Sequence, residues 1–313
     1  MDLTSRNILV AGASGLIGRA VVKCFGEAGC KGVLTPSHSE LDLEDASQVT
    51  AFFQRHKPDV VVLAAGKVGG ILENKSKPVE FLTRNLAIQM NVCAAADLMR
   101  TSRVVLFGSS CMYPKECPQP MREDMLGAGK LEPTSLSYAT AKIAGLQLGF
   151  SYNQQRNIDR FLCVIPNSAY GPGDNFDPQS GHVLSSLIHK FHVAKLAAAD
   201  HVALWGTGAP RREFVFSADI ADALLFLLNQ EVTTQHMPIN IGSGHDISIA
   251  DLATQIAAVV GFDGKIVWQT DKPDGTLRKL LDSERLLSMG WKPKTDLQAG
   301  LEDTYRWYLA NAA

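Results

Sequence analysis

The sequence lacks the features that mark several classes of protein. None of its 313 residues belongs to an apolar run long enough to span a bilayer. A formal net charge of -2 gives no basic or acidic excess that would favour nucleic acid or a membrane surface as the main partner. The first residues lack the basic and then apolar pattern of a signal peptide. These absences predict a cytoplasmic protein that binds neither nucleic acid nor membrane.

Disulfide and metal frameworks are also missing from the sequence. The six cysteines form no Cys-x-x-Cys pair and no spacing of a small secreted domain, so we expect free thiols. His189 and His192 could suggest a metal pair, but no nearby carboxylate or cysteine completes a ligand set. We therefore predict no metal site and place these two histidines on a helix surface.

A glycine-rich segment near the amino terminus predicts a dinucleotide-binding turn. Residues 8–11 have the pattern of a buried strand, and Gly12, Gly15 and Gly18 follow it immediately. Apolar residues then recur at helical spacing up to residue 25. Glycines at this point allow a tight turn and a close approach to a pyrophosphate, and the helix that follows offers free N–H groups to the anion. The alternative is a glycine-rich turn with no ligand.

The first half of the chain alternates between strand-like and helix-like segments. This order predicts an α/β fold with a Rossmann-type doubly wound parallel sheet, whose ligands bind at the carboxyl ends of the strands. The predicted strands are at residues 8–11, 32–35, 59–66, 104–108 and 162–165, with a helix at 80–99.

Beyond residue 168 turn-forming residues become frequent, which predicts a smaller C-terminal substrate-binding lobe. Residues 1–168 are assigned to the dinucleotide-binding domain, joined by about 218–262 and 296–313. The lobe takes residues 169–217 and 263–295. The elements predicted in the lobe are a helix at 183–196 and strands at 202–205 and 265–268. Those predicted in the segment at about 218–262 are a strand at 238–242 and a helix at 249–260.

A tyrosine and a lysine at helical spacing predict a catalytic site. Tyr138 and Lys142 are four residues apart and so share one face of a helix. An ammonium beside a phenol favours phenolate, so we expect a lowered Tyr138 pKa. Ser109 or Ser110 could bind the same substrate oxygen. Without a cofactor site this spacing is also common on exposed helix surfaces.

The end of the second predicted strand indicates which cofactor is bound. An acidic residue there would bind the ribose 2′-hydroxyl of NAD. This chain has Pro36, Ser37, His38 and Ser39, and no acid before Glu40. The absence favours NADP(H), although no arginine is present for the 2′-phosphate and NAD(H) stays possible.

The glycine spacing and the Tyr-x-x-x-Lys pair together resemble the extended short-chain dehydrogenase/reductase family. Within it, the chain resembles the GDP-L-fucose synthases over nearly its whole length. These enzymes invert carbons 3 and 5 of GDP-4-keto-6-deoxy-mannose and then reduce the 4-keto group. The matching segments are residues 67–71, 108–115, 131–134, 141–145, 170–176, 205–208, 212–214 and 274–276.

The resemblance implies a role for each matching residue. Cys111 and His182 would exchange protons beside the ketone. Tyr138, assisted by Ser109, would protonate the reduced oxygen, and Lys142 would steady the phenolate and hold the nicotinamide ribose. A homodimer is also implied.

The same resemblance implies the ligand contacts. The cofactor contacts would be Gly12, Ser14, Gly15, Leu16, Ile17, Gly18, His38, Asp42, Leu43, Ala64, Ala65, Lys142, Pro166 and His182. The GDP-sugar contacts would be Lys190, Trp205, Arg212 and Asp274.

Departures from the family pattern keep alternatives open. Asn167 and Ser168 replace the usual Thr-Asn, Gly181 replaces a serine, and Ser135 replaces an asparagine. Because these positions contact ligands, a reductase or single-site epimerase/reductase of a 4-keto-6-deoxy-heptose or a 3,6-dideoxy-hexose is the second hypothesis. A cofactor sensor without turnover is the third, and it is disfavoured because Tyr138 and Lys142 are both present.

Overall fold

A central parallel sheet of six strands organises the protein. The computed structural model describes residues 2–178, 180–230, 232, 234, 236–272 and 274–311. Strand order in the sheet is β2-β1-β3-β4-β5-β9, and every neighbouring pair is parallel. The six strands are β1 (Asn7–Ala11), β2 (Gly32–Leu34), β3 (Val60–Leu63), β4 (Arg103–Phe107), β5 (Phe161–Pro166) and β9 (Ile239–Ile241). The predicted doubly wound fold is confirmed.

Helices cover both faces of this sheet, which explains why its strands are continuously apolar. One face packs against α1 and α7, and the opposite face packs against α2, α4 and α5. Each face has its own hydrophobic core, and the strands supply alternate side chains to the two. The helices of this part of the structure are α1 (Leu16–Glu27), α2 (Ala46–His56), α3 (Ile71–Ser76), α4 (Pro78–Leu98), α5 (Leu136–Arg156) and α7 (Ser217–Leu228).

The chain reverses its direction of winding between β1 and β3. It leaves β1 for β2 on one side and then crosses to β3 on the other, so β1 and β3 are neighbours. In open α/β sheets, ligands bind at such a reversal, just beyond the carboxyl ends of the strands. Gly12 follows β1 at this point.

The remaining elements form a second layer with its own core. Two smaller sheets pair β8 with β6, β10 and β12, and β7 with β11. They comprise β6 (Ser168–Tyr170), β7 (His201–Trp205), β8 (Arg211–Phe216), β10 (Asp246–Ser248), β11 (Lys265–Gln269) and β12 (Arg278–Lys279). The helices of this layer are α6 (Val183–Leu196), α8 (Ile249–Val260) and α10 (Leu297–Asn311), whereas α9 (Glu284–Ser288) packs on the main sheet through Leu286.

The packing of this layer differs from the predicted division of the chain. Helices α8 and α10, assigned above to the dinucleotide-binding domain, bury Leu252 and Tyr308 with Phe191 of α6 in the third core. In contrast, Leu286 and Trp291, assigned to the lobe, pack in the core under the main sheet. The antiparallel pairing of β10 with β8 accounts for the first difference, because it directs the following α8 towards the second layer.

The sequence predicts the two histidines of α6 on a helix surface, but the structure packs them against α10. His192 is buried and its Nδ1 lies 3.0 Å from the Tyr305 hydroxyl, while His189 Nδ1 lies 3.0 Å from the Tyr308 hydroxyl. Both tyrosines belong to α10, so these pairs join the two helices. Within the described residues, no helix is both long and apolar enough to cross a membrane.

Candidate active site

The turn after β1 is shaped to receive a ligand against its backbone. Gly12 has φ +84°, and a Cβ added there would lie 2.6 Å from the Ala65 nitrogen just beyond β3. A Cβ added at Gly18 would lie 2.1 Å from the Gly12 oxygen. Both positions therefore require glycine, and α1 begins directly after Gly15 with no side-chain cap. The N–H groups of its first turn have no partner within the helix, so they can bind an anion.

The predicted cofactor residues lie at the carboxyl ends of adjacent strands. Pro166 is the last residue of β5, and Ala64 and Ala65 follow β3. After β2, the Glu40 carboxylate accepts hydrogen bonds of 2.8 Å from the backbone N–H and the hydroxyl of Ser37. The remaining three predicted contacts of this region are His38, Asp42 and Leu43. His38 is exposed, and its Nδ1 lies 3.9 Å from a carboxylate oxygen of Asp42. The Leu43 side chain packs in the core.

The Tyr138 phenol meets Ser109 at the end of β4. Ser109 Oγ accepts a 3.3 Å hydrogen bond from the Cys111 N–H and so holds a short helical turn, Ser110–Met112. The same side chain hydrogen-bonds the Tyr138 phenol. On α5, Lys142 Nζ lies 5.9 Å from the centre of the Tyr138 ring. The structure thus brings these predicted residues of the reduction site together.

The prediction that Lys142 lowers the Tyr138 pKa is wrong for the protein alone. Burial raises the pKa of Tyr138, the nearby Cys111 raises it further, and the hydrogen bond from Ser109 opposes both effects. Burial also lowers the pKa of Lys142 to about 8. Both charged forms are disfavoured because the two groups lie in one desolvated environment, where proximity does not compensate.

Cys111 has an ammonium neighbour that sequence reasoning missed. Lys279 Nζ lies 3.8 Å from the Cys111 sulfur, although 168 residues separate them. Burial raises the pKa of the Cys111 thiol, but the Lys279 charge and hydrogen bonds with Ser109, Ser135 and Lys279 act in the opposite direction. The net effect is a lowered pKa, which favours a thiolate.

His182 is shifted in the opposite sense. It occupies the N-cap position of α6 without a capping hydrogen bond from its side chain, which is 52% exposed, and its Nδ1 lies 3.9 Å from an oxygen of the buried Asp174 carboxylate. Interaction with Asp174 raises the pKa of His182, and burial acts in the opposite direction. The preceding Gly181 packs on Gly70, because a Cβ at Gly70 would lie 3.2 Å from the Gly181 oxygen. Gly66, in the same loop as Gly70, lies beside Lys142.

The predicted substrate residues occupy two places. Arg212 donates through Nη1 to the carbonyls of Arg211 (2.8 Å) and Thr276 (2.6 Å), and burial lowers its pKa. Asp274 accepts from the Thr207 N–H (2.9 Å) and hydroxyl (2.7 Å), so its carboxylate joins two loops.

Lys190 and Trp205 line a cavity of about 170 Å³ between α6, β7 and β11. Trp205 is 61% exposed at its mouth, and burial lowers the pKa of Lys190. Trp268, which the sequence analysis did not single out, lines the same cavity through the pairing of β11 with β7.

A buried carboxylate connects the strands beneath the site. Glu213 is fully buried and accepts hydrogen bonds from the Asn167 side-chain amide and from the N–H groups of Gly244 (2.8 Å) and Leu281 (2.9 Å). It precedes neither a turn nor a helix, so local pattern gave no signal for this role. Asn167 stands among the departures noted above, and its amide nitrogen is engaged by Glu213.

Comparison with known proteins places this geometry in a family. The family model described as NAD dependent epimerase/dehydratase family matches residues 8–242. This chain belongs to the NAD dependent epimerase/dehydratase family. Its extended short-chain dehydrogenase/reductase character, expected from the motifs, is thereby confirmed.

Members of this family resemble the chain along its whole length. It is 47% identical over 305 residues to the probable GDP-L-fucose synthase 1 of Oryza sativa subsp. japonica, covering 97% of this chain and 92% of that protein. A GDP-L-fucose synthetase from Naegleria fowleri bound to NADP matches with TM-score 0.91 and 28% identity, covering 98% and 94% of the two chains. A GDP-mannoheptose C4 reductase from Campylobacter jejuni with NADP bound matches with TM-score 0.88 and 33% identity, covering 98% and 99%.

Proposed function

We propose that this protein is an NADPH-dependent epimerase/reductase of a GDP-4-keto-6-deoxy-hexose, of the GDP-L-fucose synthase type. One observation carries the proposal. The sulfur of Cys111, with its lowered pKa, lies close enough to Tyr138 to raise the pKa of the phenol. A simple ketone reductase needs the tyrosine, but it has no use for a second proton-exchanging group beside it.

Opposite pKa shifts assign roles to the two exchange groups. A proton next to a ketone is removed by a base, and the carbon is reprotonated from an acid. The lowered pKa of Cys111 suits it to be the base, and the raised pKa of His182 suits it to be the acid. Ser109 and Tyr138 are placed to donate hydrogen bonds to the ketone oxygen as enolate charge develops on it.

The glycine turn supports a dinucleotide at the start of α1. No side chain fits at Gly12 or Gly18, so the space against their backbone stays open to a pyrophosphate. When bound, NADPH supplies the hydride for carbon 4. Tyr138, which keeps its proton because of its raised pKa, protonates the oxyanion. Lys142 lies one helical turn away and would hydrogen-bond the nicotinamide ribose.

Recognition of the 2′-phosphate falls to the loop after β2. His38 and Ser39 are exposed there, whereas the N–H and the hydroxyl of Ser37 donate to the Glu40 carboxylate. The exposed His38 and Ser39 support NADPH over NADH. Ser14, also exposed, faces solvent at the adjacent turn.

The GDP portion takes the cleft between the two layers. Arg212 binds the diphosphate through its remaining N–H groups, since its Nη1 is already fixed by backbone carbonyls. Lys190 and Trp205 flank the nucleoside, and Asp274 holds the loops around it.

Two broader properties belong to the same proposal. A homodimer is supported by exposed apolar side chains on α4, namely Val79, Met90 and Leu98, since α4 packs beside the Tyr138 helix. A cytoplasmic location suits an enzyme that consumes NADPH and a nucleotide sugar.

A second candidate keeps the machinery and changes the sugar. The likeness to a GDP-mannoheptose C4 reductase supports reduction of a related GDP-4-keto-sugar, such as a 6-deoxy-heptose or a 3,6-dideoxy-hexose.

The deciding experiment supplies purified protein with NADPH and enzymatically prepared GDP-4-keto-6-deoxy-mannose in deuterium oxide. We expect NADPH oxidation, GDP-L-fucose as the product by NMR, and deuterium at carbons 3 and 5. Cys111→Ser and His182→Asn variants should lose that deuterium while still reducing a pre-epimerised ketone. Oxidation without deuterium in the product would favour the reductase. If NADPH binds but is not oxidised, the hexose proposal is wrong.

A further inference from the structure

Two successive pairs of cations face each other across neighbouring strands. In the parallel pairing of β8 with β12, Arg211 is opposite Arg278 and Arg212 is opposite Lys279. Like charges directly opposite in a sheet are destabilising, so an anion beside each pair would stabilise it.

The first pair has its anion in a buried carboxylate. Asp246 on β10 accepts a 2.9 Å hydrogen bond from Arg211 Nε and another from Arg278 Nε. Its side chain is only 7% exposed. Two guanidinium groups thus share one carboxylate, and the repulsion within this pair is compensated.

The second pair has no such carboxylate. Among the residues that the structure describes, Arg212 donates to main-chain carbonyls only, and the Lys279 ammonium has a single polar contact, the Cys111 sulfur at 3.8 Å. Across the described ranges, no aspartate or glutamate lies within ion-pair distance of either group. The Cys111 sulfur is the group in contact with this pair that can carry a compensating negative charge.

We propose that Lys279 is a positioning residue that holds Cys111 as a thiolate, with Arg212 on the neighbouring strand as a second source of positive charge. The role deepens the proposed function, because it explains how a cysteine serves as the base at neutral pH. Cys111 is the group that contacts substrate, and Lys279 acts through it.

The other charged groups near the thiol are already paired or neutral. Lys115 lines a narrow cleft together with Cys111 and Lys279, but its Nζ lies 3.2 Å from the Glu132 carboxylate. Arg278, which lines the same cleft, is bound to Asp246. On α5, Tyr138 faces the sulfur as a protonated phenol.

Ser109 and Ser135 add neutral hydrogen bonds to the sulfur, and the pKa of Cys111 is lowered although burial opposes this. The Lys279 charge lowers the pKa of Cys111, and Arg212 lies near enough that the Cys111 charge opposes the lowering of the Arg212 pKa by burial.

The test measures the thiol directly, without substrate. Iodoacetamide alkylation of Cys111 is followed against pH by tandem mass spectrometry, which separates Cys111 from Cys117. The proteins compared are the unaltered chain, Lys279→Met, the charge-keeping Lys279→Arg and the matched control Lys115→Met. NADPH binding by each variant verifies that it is folded.

We expect Lys279→Met to move the alkylation profile to higher pH and to lower the rate at pH 7 about tenfold. Lys279→Arg and Lys115→Met should follow the unaltered protein. A Lys279→Met profile that superimposes on the unaltered one overturns the proposal. An equal shift in Lys115→Met also overturns it, since the pKa of Cys111 would then respond to any nearby positive charge and not to Lys279 in particular.

Exchange kinetics separate this inference from the proposed function. Lys279→Met should slow deuterium exchange at neutral pH and recover at alkaline pH, whereas a raised KM with an unshifted pH profile would make Lys279 a substrate contact only. If the unaltered protein shows no exchange, the proposed function fails, and the alkylation profile still decides whether Lys279 holds the thiolate.

Discussion

Gly18→Ala offers a sharp test of the glycine turn, because a neighbouring glycine in the same helix provides the control. The added Cβ would lie 2.1 Å from the Gly12 oxygen and 2.7 Å from the Gly12 carbonyl carbon. Favourable contacts between such atoms are about 3.5 Å, so α1 and the turn must separate by more than ~1 Å. The obstacle is backbone, which cannot rotate away as a side chain can.

The expected cost follows from this displacement. Overpacking typically costs ~1–3 kcal/mol, partly offset by the ~0.5–1 kcal/mol that alanine gains over glycine within a helix. Gly26→Ala isolates that gain, since Gly26 lies in α1 with no atom within 4 Å of its added Cβ. We expect Gly26→Ala to stabilise the protein slightly, and the two variants to differ by roughly 1–3 kcal/mol in free energy of unfolding, because the gain of alanine over glycine is common to both.

Urea unfolding measures the difference in stability between the two variants, and fluorescence titration with NADPH measures the difference in their affinity for the cofactor. NADPH affinity should fall at least about tenfold in Gly18→Ala, because a 1 Å displacement removes the close approach of the turn to the pyrophosphate. Affinity should not change in Gly26→Ala. If the two variants unfold alike and bind NADPH alike, the turn is not the cofactor cradle that its geometry indicates.

The remaining predictions concern titrating groups. Asp174→Asn should lower the pKa of His182, so that activity declines at a lower pH than in the unaltered protein. An effect of ~1 kcal/mol for this half-exposed pair corresponds to a kcat near pH 8 that is about fivefold lower, and the pH profile of kcat measures it. Lys142→Met should remove reduction yet stabilise the fold at pH 7 by about 1–3 kcal/mol, because burial lowers the pKa of Lys142 from 10.5 to about 8. Since Lys142 binds more protons in the unfolded chain between these values, its destabilising contribution should diminish with rising pH across that window, and the stability advantage of Lys142→Met over the unaltered protein should shrink accordingly. A Lys142→Met protein that is less stable at pH 7 would contradict the assignment of burial as the cause.

Much of the main sheet could be predicted because its strands obey a local rule. Val60–Leu63 is buried on both faces and therefore apolar throughout. Helix α8 was predicted with its observed bounds, Ile249–Val260, because Ser248 caps it and Gly261 ends it. The destination of α8 could not be predicted, because its apolar face fits either core and the pairing of β10 with β8 decides between them.

The candidate site was predictable where one segment supplies several groups. Ser109 and Cys111 share one short turn, and Tyr138 and Lys142 share one helix face. Lys279 could not be found in this way, since β12 has two residues and its position depends on pairing with β8. No sequence pattern spans the interval between Lys279 and Cys111.

The Tyr138 prediction failed for a reason that bears on the direction of catalysis. The rule that an ammonium lowers a phenol pKa holds when the ammonium stays charged and close, but here burial lowers the Lys142 pKa as well. A phenol that keeps its proton donates to an oxyanion readily and takes a proton from an alcohol poorly. This direction supports the proposed protonation of a reduced ketone oxygen by Tyr138. The pKa values of Cys111 and His182 are shifted in opposite directions, which supports the proposed division of the earlier proton exchange between a base and an acid in the same cleft.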